Sequence, residues 1–412
     1  MEDVYVVGVG MTRFGRLLDR SVKSLTREAV ELALSDAGLD KSAIQAAFFA
    51  NAAQGYLEGQ HMVRGQVALR SMGIGEIPVI TIENACASGS SALALAASHL
   101  RAGEGDIALA VGVEKLFSTD RNLMMAAFDS GWDVSDAPAI RDRLMALGAG
   151  VEVPEGTTSL KPYSAFMDVY AAFARQHMRE FGTVQRQFAA VAAKNHRHSI
   201  HNDLAQFRDD YSIDQILAAP PIVYPLTLPM CSPISDGGAA VIVATRSGMT
   251  RLGLDPRRAI RLLATVIQTG SDRDPLAADR HLTALAARCA YEKASVGPED
   301  VSVAEVHDAT AVGEIIQIEN LGFCGFGEGG ALTESGATTI GGRLPVNPSG
   351  GLESKGHPIA ATGLGQVHEL VLQLRGEAGP RQVEGARIAV AENGGGLHGV
   401  EEAVACVIIL GR

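Results

Sequence analysis

The sequence predicts an α/β protein whose parallel sheets are covered by helices on both faces and whose basic βα unit occurs twice. Three observations carry this. Short apolar runs of strand length alternate with segments of helical periodicity. Glycines, 46 among 412 residues, gather where those runs end. Blocks from the first 115 residues reappear in the same order in the second half.

Taken in order, VYVVGVG (4–10) reads as a buried strand and SLTREAVELALSDAGL (24–39) as the helix after it, closed by Gly38. AIQAAFFAN (43–51) is a second strand, GQVALRSMG (65–73) a second helix and IPVITI (77–82) a third strand. The small-residue run SGSSALALAASHL reads as a helix, and GDIALAVGVEK (105–115) as the strand that follows it. Between 116 and 235 the pattern turns helical and polar, with prolines and the single Trp132, as expected of an insertion lying over the core. Within it, the histidine-rich KNHRHSIHND (194–203) reads as a solvated helix end. ISDGGAAVIVAT (234–245) returns to strand character.

The repeat pairs 25–49 with 282–306, and ASGSSALALAASHLRAG with ATGLGQVHELVLQLRG (361–376). In the second pair Ser88-Gly89 faces Thr362-Gly363 and Arg101 faces Arg375; GDIALAVG (105–112) then matches ARIAVAEN (386–393). Two copies of one unit bring equivalent helix starts to a pseudo-twofold axis. The expected organisation is a first half (1–115 with 236–255), an inserted helical region (116–235) and a second half (256–412).

Hydrophobic residues make up 47% and charged residues 20%, enough apolar material for a buried core. A net charge of −12 with no basic run argues against a nucleic-acid partner. No apolar run approaches the roughly 20 residues of a membrane span. MEDVYVVGVG has neither a basic leader nor a long apolar core, so a cytoplasmic protein is expected. Cys86, Cys231, Cys289, Cys324 and Cys406 show no metal-ligand spacing and read as free thiols. Four of them read as small buried hydrophobes.

Cys86 asks for more. It stands between the IPVITI strand and a helix, where unpaired backbone N–H groups favour a thiolate. Ala87, Ser88 and Gly89 beside it would let a carbonyl approach. A thiolate nucleophile needs a base and oxyanion donors. His307 in AEVHDAT and His357 in SKGHPIAATG lie at predicted strand ends of the second half, and His357 holds nearly the place in its repeat that Cys86 holds in the first. The glycines of AENGGGLHG (391–399) offer bare N–H groups after a strand.

ENACASGSSA, the His-Asp pair of VHDAT, KGHPIAATG and ENGGG stand in the order and near the spacings of the thiolase superfamily. The chain most resembles the sterol-carrier-protein-type thiolases and their acetyl-CoA acetyltransferase-like bacterial relatives. HMREFGTVQRQFAAVAAKNHRHSIHN and SPISDGGAAVIV extend the resemblance over nearly the whole chain. It implies a five-layered αβαβα fold with a helical loop domain, a homodimer or homotetramer, and acyl-coenzyme A thioesters as substrates in lipid metabolism, with no further cofactor and no metal. Carried over, Cys86 would be acylated, and His357 would activate it and, with His307, bind the thioester oxygen of a second substrate. The N–H groups of Cys86 and Gly394 would form the oxyanion hole.

The resemblance also implies a second cysteine as acid and base, yet its two places hold Glu392 and Ala309. Three readings follow. A thiolase could give that task to Glu392, or to His61 in GQHMVRGQ, a segment that resembles the family's loop reaching into a neighbouring active site. An acyltransferase or condensing enzyme with an already nucleophilic acceptor would not need it. A non-catalytic subunit would bind acyl-coenzyme A or scaffold an OB-fold partner. The intact Cys86 favours an enzyme, and the expectation is a thiolase-like acyltransferase working through a Cys86 acyl-enzyme.

Overall fold

The computed structural model describes residues 2–412. Its strands are β1 (Val4–Met11), β2 (Ala46–Ala50), β3 (Val79–Ile82), β4 (Ile107–Lys115), β5 (Asp236–Thr245), β6 (Ile260–Thr269), β7 (Val303–Glu305), β8 (Ile388–Gly395) and β9 (Val404–Gly411). The helices that matter below are α1 (Val22–Ala37), α2 (Arg64–Arg70), α3 (Ser88–Arg101), α4 (Ala165–Phe181), α5 (Gln185–Ser199), α6 (Leu282–Ala294), α7 (Ala311–Asn320) and α8 (Thr362–Arg375).

The nine strands hydrogen-bond in the order β3-β2-β4-β5-β1-β6-β9-β8-β7. This order is a near palindrome. In the first half β2 runs parallel to β3 and β4, and β4-β5-β1 continue antiparallel. In the second, β7 runs parallel to β8, and β8-β9-β6 continue antiparallel; Val346 bridges to Ala304 in parallel where the first half has β3. Within the sheet, the half-sheets are joined through the antiparallel pairs Tyr5–Arg261 and Val6–Ile260. The repeat read from sequence is therefore real: α1 corresponds to α6, α3 to α8 and β4 to β8.

Side chains alternate across each strand, so every half-sheet needs cover on two faces. Val4, Val6, Ala110, Val241, Val243, Ile408 and Leu410 turn inward onto Ala92, Leu93 and Ala96 of α3 and Leu364, Val367 and Leu370 of α8. Tyr5, Val7, Leu109, Val111 and Ile242 turn outward onto α1 and α2. Val266, Val390, Val407 and Ile409 turn outward onto α6 and α7 on the far side. Helix, half-sheet, helix pair, half-sheet, helix: the five layers implied by the resemblance are present.

At the centre, backbone touches backbone. A Cβ on Gly112 would collide with the Ala360 carbonyl oxygen, one on Gly363 with Ser90, and one on Gly89 would come within 2.5 Å of Ala360 O. The small residues after Cys86 thus serve this crossing. Ala87, Ser88 and Gly89 are buried in it and do not clear space for a substrate, contrary to the expectation from sequence.

Between β4 and β5 the chain builds α4, α5, shorter helices and a small hairpin (Pro221–Val223 with Leu226–Thr227). Trp132, Val169, Tyr170, Phe188 and Val191 pack there with Val312 and Ile315 of α7. The end of α5 corrects a second expectation, because it is docked and not solvated. His196 and His198 are only 3% and 5% exposed. His198 Nδ1 lies 3.0 Å from the Asn347 carbonyl oxygen, and the Ile340 N–H donates to its Nε2 at 3.1 Å. Burial, with Lys194 nearby, pushes the His198 pKa down to about 3, so it is neutral and pins the insertion to the second half. No described helix is long and apolar enough to cross a membrane.

Because the Gly112 contact is with backbone, the neighbour cannot swing aside. Gly112→Ala is expected to cost about 1–3 kcal/mol in urea denaturation. An unchanged midpoint would show the crossing to be loose.

Candidate active site

Cys86 follows β3 through Asn84 and Ala85. Ala85 adopts φ 46°, a left-handed value a non-glycine residue holds only when its surroundings impose it. They do so with hydrogen bonds: Asn84 N–H donates to Ser88 Oγ at 2.8 Å, Asn84 Nδ2 to Ser91 Oγ at 2.9 Å, and Ser88 Oγ to Ala85 O at 2.6 Å. The turn presents the thiol ahead of α3.

His357 arrives from the other half. A π-helical turn (Gly351–Lys355) and Gly356, at φ 114°, redirect the chain, and the His357 N–H donates to Ser235 Oγ at 2.9 Å. His307 ends the segment after β7, and its N–H donates to Glu392 Oε2 at 3.0 Å. The Cys86 sulfur and one ring nitrogen of each histidine lie within 4.8 Å of one another, and the imidazole centroids are 5.3 Å apart at a T-shaped angle.

Thr362 orients the His357 ring. With Thr362 Oγ1 donating to the Pro358 carbonyl at 3.0 Å, it accepts from His357 Nδ1, 2.7 Å away. Nε2 is left bare as a base. Both ring nitrogens of His307 are buried without a protein partner, so this imidazole is free to bond a substrate.

The unliganded site is electrically neutral. Burial, with the charges of Glu114 and Glu83, raises the Cys86 pKa to about 12, against the opposing N–H groups of Gly396 and of Cys86 itself. Burial lowers His307 to about 4 and takes His357 well below its usual value, helped there by His307 and Lys355. Desolvation thus opposes the thiolate that the N–H dipoles of the helix start favour. The three groups open into a cavity of about 1090 Å³ with Phe117, Met124, Phe128, Phe166 and Ile359 on its walls.

Behind the histidines lies a dry polar block. Asp308 accepts from the N–H of Leu352 at 2.7 Å and from Asn195 Nδ2 at 3.0 Å; Lys194 pairs with Glu314 at 2.9 Å, and Lys355 with Glu305 at 3.0 Å. These bonds tie the residues next to His307 and His357 to one scaffold.

The thiolase N-terminal domain family matches residues 4–213, and the thiolase C-terminal domain-like family matches 269–412. The chain belongs to the thiolase family. It is 38% identical over 400 residues to an acetyl-CoA acetyltransferase of Methanothermobacter thermautotrophicus, covering 97% of this chain and 98% of that protein. It is 36% identical to sterol carrier protein 2 of Bos taurus, covering 95% of this chain and 69% of the relative. An Ltp2-ChsH2(DUF35) aldolase shares the fold at a TM-score of 0.78 and 23% identity, over 100% of this chain and 98% of that one. The thiolase is accordingly an acyltransferase by family.

Within this thiolase, Cys86, His307 and His357 come together, and two other assignments, Gly394 and Glu392, fall elsewhere. Gly394 is engaged in the β8–β9 ladder opposite Ala405, and a Cβ there would sit 2.9 Å from Glu402. The N–H aimed at the Cys86 sulfur is that of Gly396, which also lines the cavity. Glu392 is fully buried beneath His307 and outside the cavity. Burial raises its pKa to about 8, so it stands protonated at neutral pH as a support for the His307 backbone. His61 is exposed and lies outside this chain's own cavity; the role expected for it is in a neighbouring active site. Ala309 does, and Cys231 lies beside it through a bridge to Thr310.

Sequence reasoning missed Thr362, Ser235 and Glu114. The Thr in KGHPIAATG sits five residues after His357, within one turn of a helix start, which is a usable signal; Ser235 and Glu114 are brought in by strands with no local pattern. Cysteine with two histidines is also a zinc-type donor set, the one such group within reach of an ion among the described residues.

Two outcomes follow for the thiolase. Alkylation of Cys86 by iodoacetamide is expected to rise about tenfold per pH unit between pH 7 and 9, as for a thiol whose pKa lies above that window; a plateau below pH 8 would mean a stabilised thiolate. Thr362→Val removes the acceptor of Nδ1–H and is expected to lower Cys86 acylation by thioesters about 10- to 100-fold, read by stopped-time mass spectrometry.

Proposed function

We propose that this acyltransferase carries its acyl group as a thioester on Cys86, taken from an acyl-coenzyme A. The support is the convergence of three neutral groups, one imidazole among them oriented by Thr362. His357 Nε2 removes the thiol proton as the sulfur attacks the thioester carbonyl, so charge separates only while the carbonyl oxygen gains it. The N–H groups of Cys86 and Gly396 hold that oxygen. His307, with no partner of its own, joins His357 in binding the thioester oxygen of the second substrate. Thiolytic cleavage or condensation of 3-ketoacyl thioesters is then the reaction class.

A second reading has one observation in its favour: neither Glu392 nor Ala309 supplies a base beside Cys86. An acceptor that is already nucleophilic would need none. The name of the aldolase neighbour, which joins Ltp2 to a DUF35 protein, supports a partner subunit, and the OB-fold partner expected from sequence remains part of the proposal. A homodimer or homotetramer and a cytoplasmic setting remain part of the proposal.

Incubation with a panel of acyl-coenzyme A thioesters, followed by intact-mass measurement, tests the reading. One acyl group is expected on the wild type and none on Cys86→Ala. A wild type that takes no acyl group from any donor would refute it.

A further inference from the structure

Tyr170 of α4 lies in two cavities at once. It lines the catalytic one with Cys86, His307, Ala309, His357 and Gly396. It also lines a second cavity of about 190 Å³, whose polar wall includes Arg273, His281, Gln317, Glu401 and Glu402. In that wall His281 Nε2 lies 3.3 Å from Glu402, Gln317 Nε2 donates to Glu402 at 3.1 Å, and Arg273 Nε donates to Glu401 at 2.6 Å. Tyr170 is the only buried tyrosine of the catalytic wall, 7% exposed. Tyr163 on the same wall is held by Asp168 at 3.0 Å, whereas the Tyr170 hydroxyl is neither held by a side chain nor sealed among the buried polar atoms, so it is free to bond a molecule in a cavity it lines.

We propose that the Tyr170 hydroxyl is the proton donor to the substrate α-carbon, the task for which this chain has no second cysteine. The assignment rests on the Cys86 reading above. The other candidates are placed worse. Glu392 is walled off under His307, and Ala309 has no proton to give. The Cys231 thiol is turned to the Thr227 carbonyl, 3.6 Å away, and the carboxylate acting on it is Glu353, outside the catalytic group. Tyr170, in contrast, is within the electrostatic reach of Cys86 itself. Burial, then Glu402, Cys86 and Glu392, hold its pKa well above that of a free phenol, so it rests protonated and acts as an acid.

In cleavage, the Cys86 S–H bond breaks as its proton passes to His357 Nε2, the sulfur bonds to the 3-keto carbon, and the bond from that carbon to the α-carbon breaks. The electron pair passes to the α-carbon as an enolate, whose oxygen His307 and His357 hold. The Tyr170 O–H bond breaks, its proton goes to the α-carbon, and the shortened thioester leaves. The thiol of incoming coenzyme A returns a proton to the phenolate as its sulfur attacks the acyl carbon; the bond from Cys86 to that carbon breaks, and His357 Nε2 gives its proton back to the departing Cys86 sulfur.

The test separates this step from acylation. With Tyr170→Phe, which keeps the ring, acetylation of Cys86 by acetyl-CoA is expected to stay within about threefold of wild type, while cleavage of acetoacetyl-CoA by coenzyme A falls about 10²- to 10³-fold. Cleavage at the wild-type rate in Tyr170→Phe would overturn the assignment. So would equal loss of acetylation, which would mark a structural role, or loss of cleavage in Cys231→Ser but not in Tyr170→Phe. A wild type that becomes acetylated yet never cleaves acetoacetyl-CoA would remove the α-carbon step and the assignment with it. Absence of any acyl adduct on the wild type would instead fell the Cys86 reading itself.

Discussion

Everything in this molecule depends on how closely two chain segments approach at its centre. The start of α3 and the loop into α8 meet backbone to backbone, with Gly89, Gly112 and Gly363 leaving no room for a methyl group. That approach carries Cys86 from one half to His357 from the other. Short of it, the sulfur and the imidazole nitrogens would lie beyond any proton transfer. The catalytic spacing is therefore a packing distance, set by residues that touch no substrate.

Electrostatics then follows from depth. Groups drawn this far inward lose water, and the thiol and both imidazoles all shift toward their uncharged forms. Ionic charge is kept in the block behind them, where Lys194, Glu314, Lys355 and Glu305 neutralise one another. The division suits a site that must generate charge only during reaction. It also accounts for Glu392: a carboxyl raised to about 8 beneath the His307 backbone is a neutral hydrogen-bonding prop.

Much of this was legible in the sequence because it is local. Strand runs, helix periodicity and the order of repeated blocks depend on neighbours in the chain, and Cys86, His307 and His357 sit in short motifs at element ends. What escaped depends on contacts across long separations. The Cys86 helix start looked like a thiolate site because sequence shows the N–H groups and hides the burial that opposes them. Gly394 and Gly396 are indistinguishable in GGG until the β8–β9 register decides which one bonds to Ala405 and which turns to the sulfur. KNHRHSIHND looked wet because its composition is polar; its partners, Asn347 and Ile340, lie some 140 residues on. Tyr170 sits in an ordinary amphipathic helix, and only the fold gives it two cavities.

The narrow seam between β1 and β6 carries a different implication. Two residue pairs join the half-sheets, while α3 and α8 each bury their faces against strands of both. One half cut free would expose the inner side of its sheet and of its central helix together, a continuous apolar surface that water does not tolerate. The halves therefore need each other as two subunits of a dimer would, and the covalent link turns their encounter from one found by diffusion into one within a single chain.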